Sequence, residues 1–299
     1  MFMKYFFTLF LVVLISNHLR AAEHVFFIRL NIDKEKIEFG EFSKTERKNV
    51  TAGFKLNDSF EKSLEVMQDF FNVNAPAAQS PEILFFIHAM WGSNNQFVRA
   101  QVLDFKGSYI DADDSPVQTV FYILWDTRPP TYYGNKKNAL ATSALLDKLI
   151  MLLDAMNVND QYHYDLMCHS MGNKVIFEML DDTKIDHEVF DHIVFAAPDV
   201  DEEILNKPAV LHNLEIIAGN SFILYNKYDN LLLLSKIRNG YDPLGLRPDQ
   251  RISITHPEIQ FIDCSFLTDN NKFPSNITGH LYYSTSITTK RKIKELLNS

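Results

Sequence analysis

Cysteine is scarce in this chain, and its scarcity excludes two common kinds of structural support. Only Cys168 and Cys264 occur among the 299 residues, so neither a disulfide framework nor a zinc site built on paired cysteines is available. Each cysteine ends an apolar run typical of a β-strand, which favours buried thiols over a redox pair.

Basic residues are also few. The chain has 29 Lys and Arg against 38 Asp and Glu, a formal charge of −9. Because nucleic-acid binding needs clustered Lys and Arg opposite phosphates, nucleic acid is not expected as a partner. The dense basic cluster at 290–292 is interpreted as the charged face of a last helix. A hydrophobic content of 46% with 13% aromatic residues is ample for a core and excludes wholesale disorder.

No apolar run in the first residues is long enough to cross a bilayer comfortably. Lys4 precedes a mostly apolar run of about a dozen residues, 5–16, and Ala21 and Ala22 follow, a pattern typical of a secretory signal peptide. We therefore predict a signal peptide at 1–22, one domain at 23–299, a secreted or periplasmic location, and no stable membrane anchor after cleavage. Arg20 is unfavourable at the −3 position, so an uncleaved anchor or a buried strand is the alternative.

Apolar runs alternate with amphipathic segments along the rest of the chain. This alternation predicts βαβ units, and so an α/β fold with a mostly parallel sheet and helices on both faces. An antiparallel hairpin is predicted at the start, and the polar residues 43–58 give no clear element. Predicted strands lie at 24–30, 36–40, 82–88, 118–124, 164–168, 189–196, 221–226 and 258–264, and predicted helices at 60–71, 96–109, 138–156, 174–180, 231–238 and 287–297.

The segment C-H-S-M-G-N at 168–173 lies between a predicted strand and a predicted helix. A strand that turns sharply into a helix exposes the middle residue, Ser170, at the top of a sheet, as in a nucleophile elbow. The usual pattern is G-x-S-x-G. Gly172 fills the second glycine position, while Cys168 replaces the first.

A serine nucleophile needs a base and an acid, and both should follow strands, since sites in parallel α/β sheets lie beyond the carboxyl ends. His280 follows the last strand and is the predicted base, whereas His256 precedes that strand and should lie at the opposite edge. Asp229 follows the strand at 221–226 and gives the chain order Ser, Asp, His. Asp199 follows the preceding strand and satisfies the same order, so it stays the alternative acid.

An oxyanion hole needs two backbone N–H groups. Met171, the residue after the serine, is the first predicted donor, because it lies at the N-terminus of a helix. The second donor is expected from the loop after the strand at 82–88, with Ala89 and Met90 as the candidates. His88 ends that strand, where we expect it to fix the loop by hydrogen bonding.

These blocks together resemble the α/β-hydrolase superfamily, and more narrowly a bacterial-type family of undefined substrate with H-S-M-G-N, A-P-D-V-D and G-H-x-Y-Y motifs, which occur here at 169–173, 197–201 and 279–283. The resemblance covers about 80–285 and implies a triad of Ser170, Asp229 and His280, with no metal or cofactor. It implies a serine hydrolase acting on a small-molecule or lipid ester, with acyl transfer, amide hydrolysis or a non-catalytic binding role as alternatives. We also expect a small cover from residues 201–221 and one wall of the site from 127–138.

Overall fold

The computed structural model describes residues 26–42, 48–74, 81–90, 101, 104–110, 114–129, 131–157, 161–266, 269 and 278–299. The predicted signal peptide at 1–22 and the first part of the predicted helix at 96–109 lie outside these residues. Positions 104–109 are helical.

Within the described residues, nine strands form one sheet in the order β3-β2-β1-β5-β4-β6-β7-β8-β9. They are β1 (Phe26–Asn31), β2 (Lys36–Phe42), β3 (Lys48–Lys55), β4 (Glu82–Ile87), β5 (Thr119–Trp125), β6 (His163–His169), β7 (Phe190–Ala196), β8 (Ala218–Tyr225) and β9 (Ile259–Asp263). The seven strands β1-β5-β4-β6-β7-β8-β9 are parallel to their neighbours in this order. The pairs β1–β2 and β2–β3 are antiparallel. The predicted mostly parallel sheet and its antiparallel hairpin are confirmed.

Eight α-helices have bounds within the described residues. They are α1 (Phe60–Asn74), α2 (Tyr132–Met156), α3 (Gly172–Leu180), α4 (Pro208–Ile217), α5 (Asn230–Asn239), α6 (Ile252–Thr255), α7 (Tyr282–Thr285) and α8 (Ile287–Leu296), with 3-10 turns at Ile32–Lys34 and Glu202–Asn206. None of the helices in the described part of the chain is both long enough and apolar enough to cross a membrane.

Helices cover both faces of the sheet, and successive strand residues alternate between the two. In β4, Phe85 belongs to the core cluster that contains buried residues of α1 to α4, whereas Leu84 and Phe86 belong to the cluster that contains Phe105, Tyr109 and buried residues of α7 and α8. A strand buried on both faces must be apolar at every position, which is why β4 was predictable as a continuous apolar run.

Two sequence predictions about local structure are wrong. Residues 48–55 form the edge strand β3 on β2, although they gave no strand signal, because an edge strand exposes much of its length and Val50 is 45% exposed. The segment 201–221 does not form a cover. Its largest element is the crossover helix α4 between β7 and β8, which buries Val210, Leu214 and Ile217.

The parallel register brings the carboxyl ends of four neighbouring strands to one edge. Ile87 pairs with Cys168, His169 with Ala196, and Ala196 with Leu224. The residues that follow β4, β6, β7 and β8 therefore start from the same edge of the sheet, where a site is expected.

Candidate active site

Ser170 occupies a strained turn between β6 and α3. Its φ is +53°, a left-handed conformation that non-glycine residues rarely adopt and that marks functional sites. The turn is fixed by its own backbone: the Ser170 N–H donates to the Ala196 carbonyl at 3.0 Å, and the Asp199 N–H donates to the Ser170 carbonyl at 3.2 Å. The predicted strand–turn–helix context of Ser170 is present.

Gly172 allows α3 to pass close to the end of β4. A Cβ atom at this position would lie 2.5 Å from the His88 carbonyl oxygen and 2.8 Å from that of Ile87. Cys168, in the position of the first elbow glycine, is wholly buried in β6, and burial raises the pKa of its thiol. Cys168 therefore presents no thiolate that could compete with Ser170.

Asn173 is a site residue that the sequence analysis did not single out. Its side-chain amide donates to the Ser170 carbonyl at 2.8 Å and to the Ala196 carbonyl at 3.3 Å. These bonds tie the elbow to β7. The available signal was the polar residue that closes the H-S-M-G-N motif at the start of the predicted helix.

His280 and Asp229, predicted as base and acid, are in direct contact. His280 Nδ1 lies 2.6 Å from Asp229 Oδ2, and both side chains are buried. The other carboxylate oxygen, Oδ1, accepts the backbone N–H groups of Leu231 and Leu232 at 3.0 Å each, so Asp229 is also the N-cap of α5. With Nδ1 facing the carboxylate, Nε2 is the nitrogen available for proton transfer.

The electrostatics of this pair favour a protonatable imidazole. Burial lowers the pKa of His280, but the charge and hydrogen bond of Asp229 and the charge of Asp199 act against it, so the pKa is raised overall. Burial raises the pKa of the Asp229 carboxyl, against the opposing effects of His280, Leu232 and Leu231. The imidazolium form is thus stabilised where a general base would need it.

The loop that carries His280 is held against the loop after β8. Gly279 has φ +62°, and a Cβ atom there would lie 2.9 Å from the Tyr228 carbonyl oxygen. The Asn226 side-chain amide donates to the Gly279 carbonyl at 2.8 Å. Glycine is therefore required at 279 by both backbone conformation and space.

Asp199, the alternative acid, is buried but has different partners. Its Oδ1 accepts the Ser235 hydroxyl at 2.5 Å, and the Ser235 hydroxyl also lies 3.1 Å from the Tyr132 hydroxyl. Burial raises the pKa of Asp199, while hydrogen bonds from Ser235 and Tyr132 oppose this shift. Asp229, rather than Asp199, is the carboxylate hydrogen-bonded to His280.

A family model described as "Alpha/beta hydrolase of unknown function (DUF900)" matches residues 63–293. The chain belongs to this alpha/beta hydrolase family. The match runs from α1 to α8 and includes the elbow and the Asp229–His280 pair. One solved structure similar to the chain is that of esterase PE8, at 11% sequence identity and a TM-score of 0.34, covering 74% of this chain and 93% of that one. This likeness is too distant to support an argument. No curated protein matches the chain.

In this alpha/beta hydrolase the His280 ring lies against the strand that leads to the elbow. The ring centroids of His280 and His169 are 4.8 Å apart, and those of His169 and Tyr283 are 4.4 Å apart. Burial lowers the pKa of His169 well below its usual range, so this ring is a neutral packing element, as expected. Among the hydrogen bonds of the described residues, none joins the Ser170 hydroxyl to His280.

The predicted oxyanion donors lie on the two segments that meet at the elbow. Met171 precedes α3 with φ −66° and ψ −17°, at a helix N-terminus, where backbone N–H groups lack partners within the helix. Ala89 and Met90 follow His88, whose Nε2 accepts the Trp125 N–H at 3.3 Å and whose Nδ1 contacts the Ala89 carbonyl. His88 therefore fixes the loop after β4, as the sequence predicted.

Tyr132 and Tyr133, both expected in the wall formed by 127–138, are the first two residues of α2. Tyr132 was expected as part of a wall, and its ring is instead buried, with its hydroxyl bonded to the Asn239 side chain at 2.8 Å. Tyr133 is 65% exposed. Pro130, another expected wall residue, lies outside the described residues. The early start of α2 explains the difference, since Thr131 caps that helix.

Proposed function

We propose that the chain is a serine hydrolase that cleaves carboxylic esters through an acyl-enzyme. The observation that carries this proposal is the 2.6 Å contact between His280 and Asp229 at the sheet edge where Ser170 occupies its strained turn. A buried carboxylate hydrogen-bonded to a histidine, at the same end of the parallel strands as a serine that precedes a helix, is consistent with the arrangement that acyl transfer requires.

In the proposed reaction, Ser170 Oγ attacks the ester carbonyl carbon and His280 Nε2 takes the serine proton. The N–H groups of Met171 and of Ala89 or Met90 stabilise the negative oxygen of the tetrahedral intermediate. Its collapse breaks the bond to the alcohol, which leaves with the proton from His280. Water, activated by the same imidazole, then hydrolyses the acyl-enzyme, while Asp229 holds the imidazole tautomer throughout.

We assign the substrate to small-molecule or lipid esters and the location to secretion or the periplasm, the latter from the apolar run after Lys4. Sequencing the N-terminus of the mature protein tests the location. A series of p-nitrophenyl esters with rising acyl chain length tests the substrate class. Turnover of an amide, or acyl transfer to an added alcohol in preference to water, would favour the amidase or acyltransferase alternatives.

Labelling with a fluorophosphonate probe tests the nucleophile. We expect folded wild-type protein to label at Ser170, and Ser170→Ala and His280→Ala to lose the label. Ser143→Ala is the matched control, because this serine lies on α2, where its hydroxyl bonds only within the helix to Leu140. Circular dichroism of each variant checks folding. Failure of folded wild-type protein to label would overturn the proposal and favour a binding role.

A further inference from the structure

His256, at the amino end of β9, lies between two carboxylates. Its Nδ1 contacts Glu215 Oε1 and lies 3.7 Å from Glu258 Oε1. One ligand atom from each residue can be chosen so that all three lie within 4.8 Å of one another. His256 precedes β9, whereas Ser170 follows β6. This group therefore lies at the amino ends of the parallel strands, and the proposed active site lies at their carboxyl ends.

One oxygen of this group has no donor. Glu258 Oε1 is buried, yet it makes no hydrogen bond to any described residue, and the nearby His256 Nδ1 is already directed at Glu215. Glu258 Oε1 thus has His256 Nδ1 within ion-pair distance but no hydrogen-bond donor among the described residues, and a buried acceptor without a hydrogen bond is costly and calls for an explanation. A bound cation would satisfy this oxygen and balance the two carboxylate charges together.

We propose that Glu215, His256 and Glu258 form a binding site for a divalent transition metal such as Zn²⁺. One imidazole nitrogen and two carboxylate oxygens form a ligand set that Zn²⁺ accepts, with water completing the coordination. The side chains of the three residues are 27–32% exposed, so the ion has access from solvent. The imidazole distinguishes this group from the all-oxygen sets that Mg²⁺ and Ca²⁺ prefer.

The metal would join two separate elements. Glu215 lies on the last turns of α4, whereas His256 and Glu258 lie on the turn before β9. In the described sheet β9 is an edge strand that pairs with β8 alone. A ligand that binds only the folded chain stabilises it by mass action, so a bound metal ion would stabilise the packing of the edge strand β9. It would contribute nothing to the chemistry proposed at Ser170.

Titration of the chelator-treated full-length protein with ZnCl₂ by isothermal calorimetry tests the site. We expect one ion per chain, and a rise of about 5–10 °C in the unfolding midpoint at a Zn²⁺ concentration about 100 times the Kd. His256→Ala and, separately, Glu215→Gln should weaken binding by at least about 10- to 100-fold, the loss typical of removing even an outer-shell partner.

His187→Ala is the matched control. His187 also contacts two carboxylates, but one on each ring nitrogen, Asp186 at Nδ1 and Asp154 at Nε2, both at 2.8 Å, so they do not converge on one point. This variant should bind Zn²⁺ like the wild type. Absence of stoichiometric binding, an unchanged Kd in both folded site variants, or binding of Ca²⁺ in preference to Zn²⁺ would overturn the proposal. Fluorophosphonate labelling is independent of all these outcomes.

Discussion

Replacing Gly172 by alanine should separate the elbow from the loop after β4, which is proposed to supply the second oxyanion donor. The added methyl group would lie 2.5 Å from the His88 carbonyl oxygen and 2.8 Å from that of Ile87, both backbone atoms, whereas an ordinary contact begins at 3.4 Å. Backbone atoms cannot rotate away as a flexible side chain can. Either α3 or the end of β4 must therefore move by about 1 Å.

The two consequences of this movement can be measured separately. Overpacking of this kind costs about 1–3 kcal/mol of unfolding free energy, which lowers the midpoint by about 2–10 °C in a domain of this size. A displacement of about 1 Å between Ser170 and the oxyanion donors costs about 100-fold in rate. We expect kcat/KM for a short p-nitrophenyl ester to fall by about that factor while the far-ultraviolet circular dichroism is unchanged.

Gly107→Ala provides the control. Gly107 is helical and exposed, and a Cβ atom there would meet nothing within 4 Å, so alanine should leave kcat/KM unchanged and stabilise the helix by up to about 1 kcal/mol. If folded Gly172→Ala retained kcat/KM within about twofold of the wild type, the close approach of α3 to β4 would not set the geometry of the site.

Three further outcomes follow from the contacts of the acid and base. Asp229→Asn should lower kcat by about 10⁴-fold because an amide cannot hold the required imidazole tautomer, whereas Asp199→Asn should retain activity. If only Asp199→Asn lost activity, Asp199 rather than Asp229 would be the acid of the triad. Since His280 must be neutral to accept a proton and its pKa is raised, kcat/KM should decline with falling pH from above 6.5. In Asp199→Asn the midpoint should move to lower pH, because the Asp199 charge raises this pKa. Gly279→Ala should lower kcat more than it raises KM, measured on the same ester, because strain at 279 displaces His280.

The parallel strands and the placement of the polar residues that follow them could be predicted from the sequence. Strands buried on both faces appear as continuous apolar runs, and the polar residues that end them must lie at one edge of the sheet. The edge strand β3 carries no such signal. In β3, Phe54 is buried while Val50 is exposed, so only part of the strand shows an apolar pattern. The first turns of α2 were missed because Gly134 and Asn135 are poor helix formers, although both donate hydrogen bonds to the capping residue Thr131.

The choice between Asp199 and Asp229 illustrates what sequence order leaves undecided. Both follow strands of the parallel sheet, both lie between Ser170 and His280 in the chain, and both are buried. The difference arises in α5. Asp229 is the N-cap of that helix, which fixes one carboxylate oxygen on the first turn and leaves the other for His280. Ser235, farther along the same helix, donates to Asp199 instead. A single helix therefore orients both carboxylates, through contacts that no spacing in the sequence specifies.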